Sequence, residues 1–224
     1  MKRIIYFIVS ISLIHILCIQ VSAFDQADLD KLLKTKKCIK CDLSGANLEK
    51  SITIKANLKK SNLRNSNLKY TYAFDADFSS ANLSYAILDF AGLSGANFAD
   101  ANLSSASLVS ANFDKANLAK ANLQESNMKS ASMVGASLQE SNLTNANLLS
   151  ADLRGADLRK ARLNNANLQQ VKFDLADLRG ASLNGADLRG AYMGKTKLDD
   201  ETLKYAKKNG ALFIMYKPKD CCDD

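Results

Sequence analysis

The chain has 224 residues, with 30 Lys and Arg against 23 Asp and Glu, for a formal charge of +7. It has no Trp and a single His, His15, inside an apolar N-terminal stretch. Once that stretch is removed, Ser-His-Asp catalysis, Cys-His catalysis and any His-ligated metal are excluded.

Residues 1–23 read as a secretory signal peptide. Lys2 and Arg3 form a basic start, Ile4 to Ile19 is mostly apolar but broken by Ser10, Ser12 and His15, and Val21-Ser22-Ala23 is a small-residue cleavage site. The alternative is an uncleaved membrane anchor, for which the apolar run is short against the roughly 20 residues a span needs. His15-Ile16-Leu17 before Cys18 lacks the small residue that lipoprotein processing requires. The sequence therefore predicts export, to a periplasm or the medium.

Residues 24–40 form an N-terminal cap. Asp25 to Lys36 suits a short helix with Leu29, Leu32 and Leu33 on one side, an Asp at its start and Lys at its end. Cys38 and Cys41 follow. With Cys221 and Cys222 they make four cysteines beyond the leader, an even number that in an oxidising compartment suggests disulfides. A Cys38–Cys41 staple ranks first, then an intermolecular or tail-closing bond, then a metal site. No cofactor is expected.

From Leu43 to Leu198 every fifth residue is large and apolar. Of these 32 positions 23 are Leu, 4 Phe and 3 Met, and only Thr53 and Ala73 are out of type. Two residues before each sits a small residue, Ala in 23 of 32 cases, and between the two an Asn or Asp in 20. A period of five fits neither an α-helix, where the apolar residues would spread around the circumference, nor a straight strand, where they would alternate between faces. The chain must turn within each repeat so that every central residue faces one axis, which makes 41–198 a solenoid. Gly, Asn and Ser two residues after the centre suit a tight turn.

Stretches such as Ala146-Asn147-Leu148, Ala151-Asp152-Leu153-Arg154-Gly155 and Ala156-Asp157-Leu158-Arg159 resemble the A(D/N)LXX unit of the pentapeptide repeat family. The resemblance covers residues 41–195 and implies an all-β solenoid, a right-handed quadrilateral β-helix with four pentapeptides per coil, here with short helical caps at both ends. The segment from Cys38 to Leu48 resembles the start of exported bacterial members with a CxxC before the first coil.

Residues 199–224 close the chain. Asp199 or Asp200 can cap a helix to Lys208, stopped by Asn209-Gly210. The apolar run 211–216 either folds over the last coil or forms a homodimer interface, and 219–224 is a tail.

Four repeats per coil stack residues 20 apart. That brings Thr53 and Ala73 together, flanked at outward positions by Ile52, Ile54, Tyr72 and Phe74, with Tyr70, Phe90, Tyr85 and Ile87 close by. Either these eight side chains form an exposed partner-binding patch, or the local backbone flips and turns them into the core, or the N-terminal helix covers them. Lys50, Lys55, Lys59, Lys60, Arg64 and Lys69 form a basic group that is either ordinary solvated surface or a contact for an anionic one.

The function these features support is a non-enzymatic exported scaffold that presents a rigid surface to a protein or cell-envelope partner, with no small-molecule substrate. A thiol–disulfide redox role for Cys38 and Cys41 is one alternative. Another is the DNA-mimic binding of a topoisomerase that the resemblance suggests. That role needs an acidic face and a cytoplasmic location, whereas residues 41–198 carry 18 basic and 14 acidic residues behind an export signal. No nucleic-acid partner is expected. The intact mass of the protein isolated from its cells is expected to start at Phe24; a mass starting at Met1 would show that the leader is retained.

Overall fold

The structure, a computed structural model, describes residues 24–217. Residues 1–23, where the signal peptide is expected, and residues 218–224, with Cys221 and Cys222, lie outside the described residues. Every β-bridge joins residues 20 apart in parallel, from Lys37↔Asn57 to Tyr192↔Leu212. One coil is thus four pentapeptides, and the chain is a solenoid with four faces. Counting from residue 41, face 1 carries 41–45, face 2 carries 46–50, face 3 carries 51–55 and face 4 carries 56–60.

The backbone bonds explain the pattern. The N–H of each central residue up to Leu178 donates to the coil ahead, as Leu43 does to the Asn62 carbonyl at 2.8 Å, and Asn62 N–H donates back to the Cys41 carbonyl at 2.8 Å. At each corner the small residue closes a turn on the preceding centre, as in Ala46 N–H to Leu43 carbonyl at 3.0 Å. The residue between them has positive φ, 73° at Gly45, the signature of a type II turn. Non-glycine residues take this conformation at most corners, among them Tyr70, Tyr85, Phe90 and Leu175. The left-handed region costs a residue with a Cβ about 1–2 kcal/mol, so paired backbone groups, not residue preference, impose it. At Gly185 the missing side chain leaves space for a neighbour: a Cβ there would stand 2.0 Å from Asn165 Oδ1, which would have to turn away.

Centres and small residues point inward and are buried almost without exception. Phe78 and Phe98 stack one coil apart at 4.7 Å. The outward Asn residues do more than face solvent. Asn102 Nδ2 donates to Asn82 Oδ1 at 3.4 Å and Asn122 Nδ2 to Asn102 Oδ1 at 3.3 Å, forming ladders along the rod. The same Oδ1 accepts from the N–H two residues on, as Asn102 does from Ser104 at 3.1 Å, which holds the turn.

Helix α1 (Gln26–Thr35) is capped by Asp25, whose side chain accepts from the N–H groups of Ala27 and Asp28, and it buries Leu29 and Leu32 against the first coil. The first bridged residue is Lys37, one pentapeptide ahead of Asp42 in the sequence pattern, because Cys38 takes the inward central position that Leu holds elsewhere. Helix α2 (Asp200–Lys208) is capped by Asp199, which accepts from Thr202 N–H at 2.8 Å and ties itself to the last coil through Gly180 N–H at 2.8 Å. Thr202 and Ala206 of α2 are buried, so both ends of the stack are covered. Among the described residues no helix is long and apolar enough to cross a membrane.

In four Asp-Leu-Arg pentapeptides the Arg turns back on the Asp two residues before it, at 2.8 Å for Arg154–Asp152, 2.7 Å for Arg159–Asp157, and 2.6 Å for both Arg179–Asp177 and Arg189–Asp187. Hydrogen bonds from Arg159, Arg179 and Arg189 hold the carboxyls of Asp157, Asp177 and Asp187 below their usual range.

Two expected outcomes follow from this packing. Leu123→Ala should lower unfolding free energy by about 2–5 kcal/mol through a buried cavity. Asn122→Ala, which loses ladder bonds at the surface, should lower it by about 1 kcal/mol. Denaturant titration that gives equal costs at the two sites would overturn the inward–outward register. The second outcome concerns pH. A depressed folded-state pKa stabilises above the unfolded value, here 3.8, and that stabilisation is lost as pH falls through the folded-state values. Melting temperature should therefore drop below about pH 4, and Arg159→Gln with Arg179→Gln should flatten that drop.

Candidate functional site

The most unusual part of the surface lies over coils built from residues 51–90. On face 3, backbone bonding keeps the common register. Thr53 N–H donates to the Tyr72 carbonyl at 2.8 Å and Tyr72 N–H to the Ser51 carbonyl at 2.9 Å. Side-chain directions therefore match the rest of the rod, and it is the residue types that are exchanged, small inside and large apolar outside. Thr53 is 1% and Ala73 0% exposed, whereas Ile52 is 60% and Tyr72 52% exposed. The hydroxyls of Ser51 and Thr53 are buried with no hydrogen-bond partner. The backbone does not flip, because an interior pentapeptide such as 71–75 commits three N–H and three carbonyl groups to the neighbouring coils.

All eight side chains singled out in the sequence come to this region. Ile54, Tyr70, Tyr85, Ile87 and Phe90 are exposed like Ile52 and Tyr72, and Phe74 is half-buried. Phe74 lies across the next coil, with its ring 2.7 Å from where a Cβ on Gly92 would stand, so Gly92 leaves the space the ring fills. Tyr70 and Phe90 stack at 5.2 Å along the corner between faces 2 and 3. Tyr72 and Phe74 meet at 6.1 Å. Ile87 and Tyr85 continue the surface across face 2 to the corner before it.

Basic groups stand among these rings. The Arg64 guanidinium lies 4.4 Å from the Tyr85 ring centre and bonds Ser84 Oγ at 2.9 Å. Lys69 Nζ is 5.2 Å from Tyr70 and 5.9 Å from Phe90. Lys36, at the end of α1, donates to the Ile52 carbonyl, so α1 borders the patch without covering it. Sequence reasoning missed Lys36 and Gly92; the glycine was visible as the one Gly at an outward position, where 20 of 32 residues are Asn or Asp.

Cys38 and Cys41 occupy a central and a small position on either side of one corner. Both point inward, and their Sγ atoms lie at bonding distance, 2.08 Å. An Asp28 carboxylate oxygen and the two Sγ atoms lie within 4.8 Å of one another. With the sulfurs bonded together there are no thiolates to hold a metal. Hydrogen bonds from Ser44 keep the nearby Asp42 carboxyl below its ordinary range.

The apolar run after α2 first continues the coil and then turns back. Leu212 bridges Tyr192, and Tyr216 N–H donates to Asp174 Oδ1 at 3.0 Å, one coil nearer the N-terminus. Tyr216 also packs on Tyr192 at 5.1 Å and under Lys172 Nζ at 3.9 Å. The run thus folds over the last coils while Leu212, Phe213, Ile214 and Met215 stay exposed.

The sequence profile of pentapeptide repeats matches in eight copies, over residues 41–73, 75–98, 96–133, 121–159, 131–170 and 161–200. No curated protein matches the chain. Among solved structures, the chain is similar to HetL, a pentapeptide repeat protein involved in heterocyst differentiation regulation from the cyanobacterium Nostoc sp. strain PCC 7120. Identity is 30%, the match covers 75% of this chain and 85% of HetL, and the TM-score is 0.51. It shares the fold of QnrB1, a plasmid-mediated fluoroquinolone resistance protein, at 21% identity, with 81% and 95% of the two chains covered and a TM-score of 0.58. Repeat register, 20-residue coil and profile agree, and the chain belongs to the pentapeptide repeat family.

Proposed function

We propose that this protein is a non-enzymatic exported scaffold whose rigid coil presents the patch of Ile52, Ile54, Tyr70, Tyr72, Phe74, Tyr85, Ile87 and Phe90 to a partner. One observation carries the reading: on face 3 the large apolar residues stand outside while Thr53 and Ala73 sit in the core. Burying the Ser51 and Thr53 hydroxyls without partners costs about 1–3 kcal/mol each. A sequence that puts small residues at two central positions and large apolar ones just outside them has a use for the large ones outside. Family membership supports a right-handed winding. The leader supports export, in which case Cys38 and Cys41 pair as a disulfide that ties the cap to the first coil.

The surface also bears on the two alternatives. Both cysteines are buried, which leaves no thiolate open to a substrate disulfide and argues against redox exchange. Charge on residues 41–198 is not acidic, which argues against DNA mimicry.

The test is the double variant Tyr72→Ser with Phe74→Ser. It should keep the β-rich circular dichroism of the parent and change melting temperature little. A photo-crosslinker at position 72 in the protein's own cells should lose its adduct when Phe74 and Tyr70 are also replaced. Unfolding of the double variant would mean that the two rings are structural, and the reading would fail.

A further inference from the structure

The patch is asymmetric in charge as well as in polarity. From Lys36 to Tyr70 the chain has nine Lys or Arg and two Asp or Glu, while from Thr71 to Ser150 it has three and seven. From Ala151 to Lys217 it has thirteen and eight, with four of the Arg paired to Asp, so the densest excess of basic residues falls on the first coils, at the end where the aromatic and aliphatic residues are exposed. Lys50 and Lys69 stand in the corner between faces 2 and 3, in line with Tyr70 and Phe90, and Lys55 stands in the corner beyond Ile54. Lys36 borders Ile52, and Arg64 covers Tyr85.

Three carboxylates stand nearby, against the five basic groups just named. Glu49 pairs with Lys50 at 3.5 Å and accepts from Asn67. Asp89 accepts from Ser107 Oγ at 2.5 Å and Val109 N–H at 3.0 Å. Asp75 leans over Gly95, toward the next coil. The apolar tips thus stand in a positive field.

Shape narrows the choice of partner. The surface wraps around the corner from face 2 to face 3, so it is convex, and its rings and branched aliphatic tips project outward. The principal cavities lie at the other end of the rod, lined by residues such as Asp174, Gly180 and Tyr205. A rigid protein partner would need a matching hollow. The headgroup region of a bilayer needs none: it accepts Tyr, Phe and Ile tips at its boundary while Lys and Arg meet lipid phosphates.

We propose that the shoulder formed by residues 52–90 seats on an anionic lipid surface, with Ile52, Tyr72 and Phe90 at the acyl boundary and Lys50, Lys55 and Lys69 on phosphates. This rests on the reading of the patch as a contact surface and names what it contacts. Seated this way, the rod is held by its N-terminal coils and leaves the less basic remainder away from the lipid.

The experiment is co-sedimentation of the full protein with vesicles of phosphatidylcholine alone and of phosphatidylcholine mixed with phosphatidylglycerol, at low and high salt. Binding is expected only to the anionic vesicles and should weaken as salt rises. Lys50→Gln and Lys69→Gln should each weaken it about fivefold, and Tyr70→Ser with Phe90→Ser should weaken it without loss of fold. Lys120→Gln, on another corner, should leave it unchanged. Absence of binding by folded protein at low salt, or binding unaffected by both the lysine and the ring variants, would overturn the proposal. If vesicles fail but the crosslinker at position 72 captures a protein, the patch is a protein contact and only the lipid assignment falls. If both fail, the patch reading falls with it.

Discussion

Backbone pairing between residues 20 apart is the constraint on which everything else depends. Each pentapeptide gives its N–H and carbonyl groups to the coils before and behind it, and this leaves no freedom to rotate one segment alone. Corner residues accept a left-handed conformation, outward Asn residues stack into ladders, and inward Leu residues meet in layers because the pairing puts them there. Even the unfavourable stretch at Ser51 to Phe74 obeys it. The local preference to bury Ile52 and Tyr72 loses to the bonds of the neighbouring coils, since a flip would break several buried hydrogen bonds at once.

That hierarchy explains why the patch is exposed and stiff together. In most proteins a group of exposed aromatic residues sits on loops that can fold away. Here the side chains stand on backbone bonded on both sides, and only their rotamers are free. Phe74 shows the limit of adjustment, since it lies down across the next coil only because residue 92 has no side chain. A contact surface of this kind loses little conformational freedom when it docks.

The repeat register and the inward residues were legible in the strict period of five, whereas the coil of four pentapeptides came from the resemblance to the family. The same period located the defects at Thr53 and Ala73, but not which way their neighbours point, since that is decided by competition between side-chain burial and backbone pairing across coils. The start of the coil was also missed by one pentapeptide. Cys38 does not look like a central residue, yet its inward position depends on bonds to Asn57 that no local pattern records. Likewise, positive φ at Phe90 or Leu175 runs against residue preference and follows only from the corner each occupies. That residues 211–216 fold over the last coil was one of the two readings of the sequence, but the anchoring of Tyr216 on Asp174, 42 positions away, had no local trace.

One consequence of the 20-residue coil concerns direction around the rod. Leu212 follows Ile52 by 160 positions, eight whole coils, so the apolar segment after α2 and the patch near the N-terminus look out from the same side. Their shared heading is arithmetic, kept by chain length between them. Inserting or deleting a single pentapeptide in the middle would leave each end locally intact, yet swing one against the other by a quarter turn. The central coils, which carry no unusual side chains, therefore act as a spacer whose length sets bearing as well as distance.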